Sequence, residues 1–294
     1  MKPHLLKIHL ASEHSFSVRY DVVPQFYSKW HFHPEIELVY IIKGSGQQFI
    51  GDSVHTFKSG DMMLLGSNLP HLWKSDNSFF LHSGTEMRVE AIVIHFLPDC
   101  LGKGFFSLPE NQALASLFAL AQQGIRIKDE TRVEVGILAH KLLKASGSDR
   151  IILLLDILNR IAHSPDTQTV CNKGLIFENN PVESERLNNI YQYILNNFTR
   201  NITLIEISRV AHMSPNAFCR YFKSRIKKTF STLLMEVRIG NACRLLAETE
   251  RSISDIAYNC GYNNLSNFNR HFKALTGKTP QQHRKYYQAT MAYT

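Results

Sequence analysis

The sequence predicts two domains: a β-barrel or sandwich followed by helices, then an all-α back half with two helix–turn–helix units. Three observations carry this. Short runs in residues 1–98 alternate apolar and polar side chains between turn residues, the pattern of a sandwich or barrel. The phrase Phe218-Cys219-Arg220-Tyr221-Phe222-Lys223 returns fifty residues on as Phe268-Asn269-Arg270-His271-Phe272-Lys273, and such a repeat marks a unit used twice. Charge is also divided: from Glu185 onward there are 16 Lys/Arg against 6 Asp/Glu, and before it 17 against 19.

The front strands are expected at Phe16–Tyr20, Ile36–Ile42, Gln47–Ile50, His55–Phe57, Asp61–Leu65 and Ala91–Phe96. Turns fall at Gly44-Ser-Gly46, Gly51-Asp52, Ser59-Gly60 and Ser67-Asn68. Within them, His31 and His33 point to one face of a strand, as do Glu35 and Glu37. The stretch from His31 to Gly44 resembles the first cupin motif, H-x-H-x-x-x-E-x-x-x-x-x-x-G. Gly60-Asp61 through Pro70-His71 resembles the second, with Gly66 and Ser75 replacing its usual Pro and Asn. The resemblance implies a cupin-like jelly-roll barrel over residues 1–106. In metal-binding cupins the four slots, here His31, His33, Glu37 and His71, hold a metal. In sensory cupins they shape a pocket, and that is the expectation here, with no cofactor. Trp30, His31, His33, Glu37, His71 and Trp73 are the candidate effector-binding residues. Phe32, Tyr40 and Phe49 are further candidates for the pocket wall, which suits a small organic ligand such as a sugar.

Residues 107–163 return to helical periodicity. Ser107-Leu-Pro109-Glu110 reads as a helix start, Val133, Ile137, Leu138 and Leu142 mark a second helix, and Asp149 is the expected cap of a third from Ile151 to Ala162. That last helix is so apolar that it must bury against more than one neighbour; Leu155 is expected at a domain or subunit boundary. Residues 164–185 are polar, with Pro165, Gly174 and Pro181, and read as a linker.

In residues 186–290, Thr203…Glu206 and Ser252…Asp255 place a hydroxyl three residues before a carboxylate, a helix start signal. Ser214-Pro215 starts the next helix in the first copy; Gly261 makes the turn in the second. Phe218 and Phe222 face inward, as do Phe268 and Phe272. The outer faces carry Asn216, Cys219, Arg220 and Lys223, and Ser266, Asn269, Arg270 and Lys273, groups able to bond base edges or phosphates. A helix from about Phe230 to Thr249 joins the copies. Eighteen residues at ~1.5 Å rise span roughly 27 Å, comparable with the ~34 Å between successive major-groove faces.

Residues from about Leu187 to Tyr287 resemble the DNA-binding domain of the AraC/XylS family of transcription regulators. The resemblance is carried by the spacing from Ile256-Ala257 through Gly261-Tyr262 to Phe272-Lys273 and Gly277…Pro280. Ser208 departs from the family's usual Ala, and Leu265 from a usually polar residue. The resemblance implies a regulator that binds double-stranded promoter DNA under the control of a small-molecule effector. It also implies a dimer contact in residues 107–163, hence a homodimer, and RNA polymerase as a further partner.

No run approaches the ~20 apolar residues of a membrane span, and Met1-Lys-Pro-His has no apolar signal core, so no membrane partner and a cytoplasmic location are expected. The five cysteines have neither C-x-x-C nor zinc-finger spacing and read as reduced thiols. The alternative function is a metal-dependent cupin enzyme with a DNA-tethering tail, which needs an open coordination position; the expectation is that the chain is not an enzyme.

Overall fold

The computed structural model describes residues 14–26, 29–75, 88–171 and 181–291. Residues 1–13 of the expected barrel region and 172–180 of the expected linker lie outside the described residues. The chain divides into two compact units, with the main boundary between Asn179 and Asn180.

The front unit contains β1 (Phe16–Val23), β2 (Ile36–Lys43), β3 (Gly46–Ile50), β4 (Ser53–Phe57), β5 (Met62–Leu65), β6 (His71–Ser75) and β7 (Val89–Phe96). After two short 3-10 turns come α1 (Gln112–Ala121), β8 (Ile125–Ile127), α2 (Asp129–Leu142), α3 (Ser148–Ala162) and β9 (Thr167–Thr169). The strands form a six-stranded sheet, ordered β1-β7-β2-β5-β8-β9, and a three-stranded sheet, ordered β4-β3-β6. Among the described residues the strands do not close into a single barrel. The unit is a β-rich two-sheet structure.

Both faces of the larger sheet are covered at β2, β5 and β7, which explains why these strands are nearly continuous apolar runs. Val39, Ile41, Met63, Leu65 and Val93 pack between the sheets with Ile50, Phe57 and Trp73. On the opposite face Leu38, Met62, Leu64, Ile92, Ile94, Ile125 and Ile127 pack under residues of the three helices, among them Leu117, Leu138, Leu154 and Leu158.

Three expectations for residues 107–185 are corrected. The helical region is interrupted by β8, which pairs with β5 through Met62↔Ile127 and Leu64↔Ile125. The supposed linker contributes β9, which pairs with β8; its polar residues suit a partly exposed edge strand. Asp149 lies in the first turn of α3, and Gly147, at φ 56°, holds the cap position. The apolar face of α3, Leu154, Ile157, Leu158 and Ile161, is buried within its own unit, where Leu155 is also partly buried.

The second unit is helical: α4 (Pro181–Asn197), α5 (Leu204–Val210), α6 (Pro215–Ile226), α7 (Phe230–Glu248), α8 (Ile253–Asn259), α9 (Leu265–Thr276) and α10 (Pro280–Met291). Thr203 and Glu206 form a reciprocal capping box on α5. On α8, Ser252 Oγ accepts from Asp255 N at 3.1 Å. The shorter Asp255 side chain accepts from the Ser252 hydroxyl at 2.7 Å rather than reaching the backbone. Ser214 caps α6 with Pro215 in the first turn. Asn264 caps α9 by accepting from Ser266 N and Asn267 N.

Helix α7 is the common support. Its Ile239, Ala242 and Leu246 pack with Ile256, Ala257, Phe268 and Phe272 of the second helix pair. At its start the Phe230 ring meets Phe218 at 6.0 Å between centroids. Midway, Arg238 Nε donates to Phe198 O and its NH2 to Arg200 O, each at 2.8 Å. The same guanidinium lies 5.7 Å from the centre of the Tyr262 ring. One side chain therefore touches the segment leading into α5 and the turn leading into α9.

The turns of the two pairs use matching left-handed residues, His212 at φ 55° and Gly261 at φ 82°. A Cβ at Gly261 would lie 2.5 Å from Phe198 O and 2.9 Å from Thr199 O, so both backbone conformation and space require glycine. Gly261→Ala is expected to destabilise the helical unit by ~1–3 kcal/mol. His212 is exposed, and His212→Gly should be neutral or stabilising. Urea titrations followed by circular dichroism at the helix band check both.

Candidate effector site and nucleic-acid interface

The front site is set by strand register. Glu37 on β2 faces Leu65 on β5 and His95 on β7. An isolated bridge pairs His31 with His71, the first residue of β6. The side chains of His31, His33, Glu37, His71 and His95 converge between the sheets, and all are buried.

Three imidazoles are anchored through the backbone. Nδ1–H of His31 donates to Lys29 O at 2.8 Å, that of His33 to Glu35 O at 3.1 Å and that of His71 to Leu69 O at 2.7 Å. Carbonyl oxygens only accept, so the Nδ1 proton is assigned by this bonding. The Nε2 atoms of His33 and His71 then approach Glu37 Oε2, at 2.7 and 3.1 Å. Nε2 of His95 stands 3.2 Å from that same oxygen.

Burial disfavours an ionised Glu37, but the pull of His71 and His95 and the hydrogen bonds from His33 and His71 outweigh it, holding its carboxyl well below the usual range. Burial also works against a His33 imidazolium, yet its bond to Glu37 and the charges of Glu37 and Glu35 raise its pKa above the ordinary value. Burial dominates at His31 and His95 and lowers both. Ligand atoms of His31, His33, Glu37 and His71 all lie within 4.8 Å of one another. Imidazole nitrogens with a carboxylate fit a first-row divalent ion.

A cavity of about 260 Å³ opens beside this cluster, lined by thirteen of the described residues. His31, Glu37 and His95 contribute its polar surface at one end, and Arg19, Asp21 and Gln25 add further polar groups. Phe26, Trp73, Val39, Ile41 and Val93 supply apolar walls. Of the sequence candidates, His31, Glu37 and Trp73 line the cavity. His33 and His71 belong to the cluster but not to the cavity lining. Trp30 is buried outside that lining, and Phe32, Phe49 and Tyr40 are also outside it. Tyr40 packs instead in the core under the helices.

Sequence reasoning missed His95. A single histidine in Ala91-Ile-Val-Ile-His-Phe96 reads as core. The available signal was its two-residue spacing from Ala91 and Val93, which places it on their face.

In the helical unit, α6 and α9 bury Phe218, Phe222, Phe268 and Phe272 completely. The paired rings are 5.4 Å apart on α6 and 5.6 Å on α9. Asn216, Cys219, Arg220, Lys223, Ser266, Asn269, Arg270 and Lys273 are all exposed. Asn267, also exposed, was missed; its Oδ1 accepts from Arg270 NH2 at 3.1 Å and so orients that guanidinium. Ser208 is buried and donates to Ile205 O at 2.9 Å, so the hydroxyl is accommodated. Leu265 opens α9 and is exposed.

The front unit is β-rich and carries the cavity beside the Glu37 cluster, and the second unit is helical. Residues 14–139 match the AraC-like ligand binding domain, and residues 207–286 a helix-turn-helix domain. The chain belongs to the AraC family of transcription regulators.

The chain is similar to the HTH-type transcriptional regulator YdeC of Bacillus subtilis (strain 168), 29% identical over 104 residues, 35% of this chain and 36% of YdeC. It is similar to YtdP of the same organism, 38% identical over 97 residues, 33% of this chain and 13% of YtdP. The chain thus spans well under two thirds of the length of these two relatives. The transcriptional activator RhaR of Mannheimia succiniciproducens is 23% identical over 261 residues, 86% of each chain. Among the described residues no helix is long and apolar enough to cross a membrane.

Removing Glu37 would leave the facing imidazoles without their shared acceptor. Glu37→Leu is expected to destabilise the front unit by ~3–5 kcal/mol, the range for breaking a buried charged pair. The chain's two tryptophans, Trp30 and Trp73, both lie in that unit. Their fluorescence during urea unfolding reports the loss, which should leave the helical unit's transition in place.

Proposed function

We propose that this chain is an effector-controlled regulator that reads double-stranded promoter DNA with two helix–turn–helix units. The observation that carries the reading is the matched pair α6 and α9. Each buries two phenylalanines one turn apart and exposes the same four positions at a fifty-residue offset. Asn216, Arg220, Ser266, Asn269 and Arg270 read base edges; Lys223 and Lys273, toward the helix ends, bind phosphates. Cys219 sits on the reading face as a small residue. The net positive charge from Glu185 onward supports phosphate binding.

The front unit is read as a jelly-roll-like sensor. Its cavity offers flat aromatic walls beside carboxylate, guanidinium and amide groups, which suits a small polar ligand such as a sugar. A ligand there changes DNA affinity only by binding two states of the protein unequally. RhaR is described as an activator, which supports activation with RNA polymerase as partner. A cytoplasmic location follows from promoter binding.

The same reading includes a homodimer. Val133 and Ile137 lie one turn apart on α2, and Ile152 lies on α3, at 53%, 54% and 61% exposure. These side chains, rather than the partly buried Leu155, are the ones available for a subunit contact.

Two measurements test the function. Binding selection from random duplexes should return one preferred site for the wild type. Arg270→Ala should lose ~1–3 kcal/mol of discrimination in one half of that site and keep its fold; an unchanged preferred site would remove Arg270 from the reading face. For the dimer, Ile137→Glu with Ile152→Glu should halve the mass seen by light scattering. Wild-type mass in the folded double variant would place the contact elsewhere.

A further inference from the structure

The two matched helices part company at one place on their flanks. Tyr221 on α6 corresponds to His271 on α9, fifty residues on. Tyr221 carries the Arg186 guanidinium over its ring, 5.4 Å from the centroid. His271 is held differently. Tyr262, in the turn before α9, places its hydroxyl 3.2 Å from His271 Nδ1, and the two rings meet edge to face at 5.7 Å.

That bond decides which imidazole nitrogen carries the proton. Tyr262 is 6% exposed, and its ring is fixed by Phe268 at 5.3 Å and by the Arg238 guanidinium at 5.7 Å. Burial pushes its hydroxyl up to about 12, so the phenol keeps its proton. Among the described residues that hydroxyl has no second hydrogen-bond partner, and a buried donor left without an acceptor is costly. The phenol therefore donates to Nδ1. A neutral imidazole that accepts at Nδ1 carries its own proton on Nε2. Arg270 on the same helix and Tyr262 from the turn are the charged and titratable groups that face the ring. Burial and the Arg270 charge lower its pKa, which keeps it neutral. The outcome is an aimed N–H donor with no protein acceptor among the described residues.

Place on the helix supplies the acceptor. Arg270 lies opposite the buried Phe268 and Phe272, and one further residue turns about 100° round the helix. His271 is thus on the flank, one turn beyond the exposed Asn267. Outermost side chains of a helix in the major groove meet base edges, whereas its flanks face the sugar–phosphate walls. We propose that His271 is a further DNA-contacting residue of the second reader: its Nε2–H donates, uncharged, to a backbone phosphate oxygen, and Tyr262 is the positioning residue that aims it. This inference rests on the reading of α9 as a recognition helix. An uncharged donor neutralises no phosphate, so it adds affinity without adding to the salt dependence, unlike Lys273.

The test uses the full-length protein and the duplex it selects from random sequences, with fluorescence anisotropy over a salt series at pH 8. His271→Phe keeps a ring against Tyr262 and removes the N–H. Its affinity should fall ~tenfold at every salt concentration, with the slope of log K against log salt unchanged. His271→Gln, which restores an N–H, should recover most of the loss. Tyr262→Phe should weaken binding ~threefold in the wild type and not at all in His271→Phe; additive losses would overturn its positioning role. Circular dichroism checks folding, and His271→Ala replaces His271→Phe should the larger ring disturb the turn. Equal losses in His271→Phe and His271→Gln would show that the ring rather than its N–H is needed, and overturn the donor. A slope lowered by ~1 in His271→Phe, or an affinity that rises from pH 8 to pH 6 only when His271 is present, would mean an imidazolium ion and overturn the uncharged contact. A selected duplex bound equally well without His271 overturns this inference alone. Protein that selects no duplex overturns the regulator reading and this contact with it.

Discussion

One carboxylate oxygen, Oε2 of Glu37, organises the front unit. A buried carboxylate is costly unless it is surrounded by compensating groups, and here those groups come from four separate places in the chain. His33 precedes β2, His71 begins β6, His95 lies on β7, and His31 is bridged to His71. Each must arrive with its strand in one register. A slip of one residue in β2 would turn Glu37 into the apolar layer beneath the helices and point Leu38 at the imidazoles. The polar cluster thus specifies the pairing that the apolar runs of β2, β5 and β7 leave loosely defined, because those runs are apolar on both faces.

The helical unit solves its ordering problem differently. Its polar outer faces contribute little to folding, so the apolar inner faces and the caps carry it. Four phenylalanines fill corresponding places, and helix starts are marked by Thr203, Ser214, Thr229, Ser252 and Asn264. Arg238 adds what apolar contacts lack, a directional link with two carbonyl acceptors and a ring. The capping-box Glu206 also accepts from Arg200 at 2.6 Å, tying the segment that follows α4 to the first turn of α5.

The legible parts of the sequence were those with local grammar. The caps, Ser214-Pro215, Gly261 and the two Phe-x-x-x-Phe pairs specify their conformations within a few residues. The His31–Glu37 spacing was likewise readable. What escaped depended on partners far along the chain. His95 acquires meaning only through its register opposite Glu37. β8 and β9 have three residues each, too few to show a period, and exist because β5 offers an edge. The aromatic residues of the front half looked equivalent, yet Trp73 faces the cavity and Tyr40 the helices. Alternation assigns a side chain to a face; the covering layers decide what that face meets.

Arg238 also bears on the grammar of the DNA that the proposed reading requires. Because α7 packs against both helix pairs and Arg238 ties the segment before α5 to the turn before α9, the spacing of the two pairs is built into the helical unit. A promoter must then present its two halves in one fixed helical phase. Inserting half a turn of duplex, ~5 base pairs, would carry the second half to the opposite side of the DNA. Evolution of such promoters is therefore free to change letters within each half, one contact at a time, but is held against insertions and deletions between them.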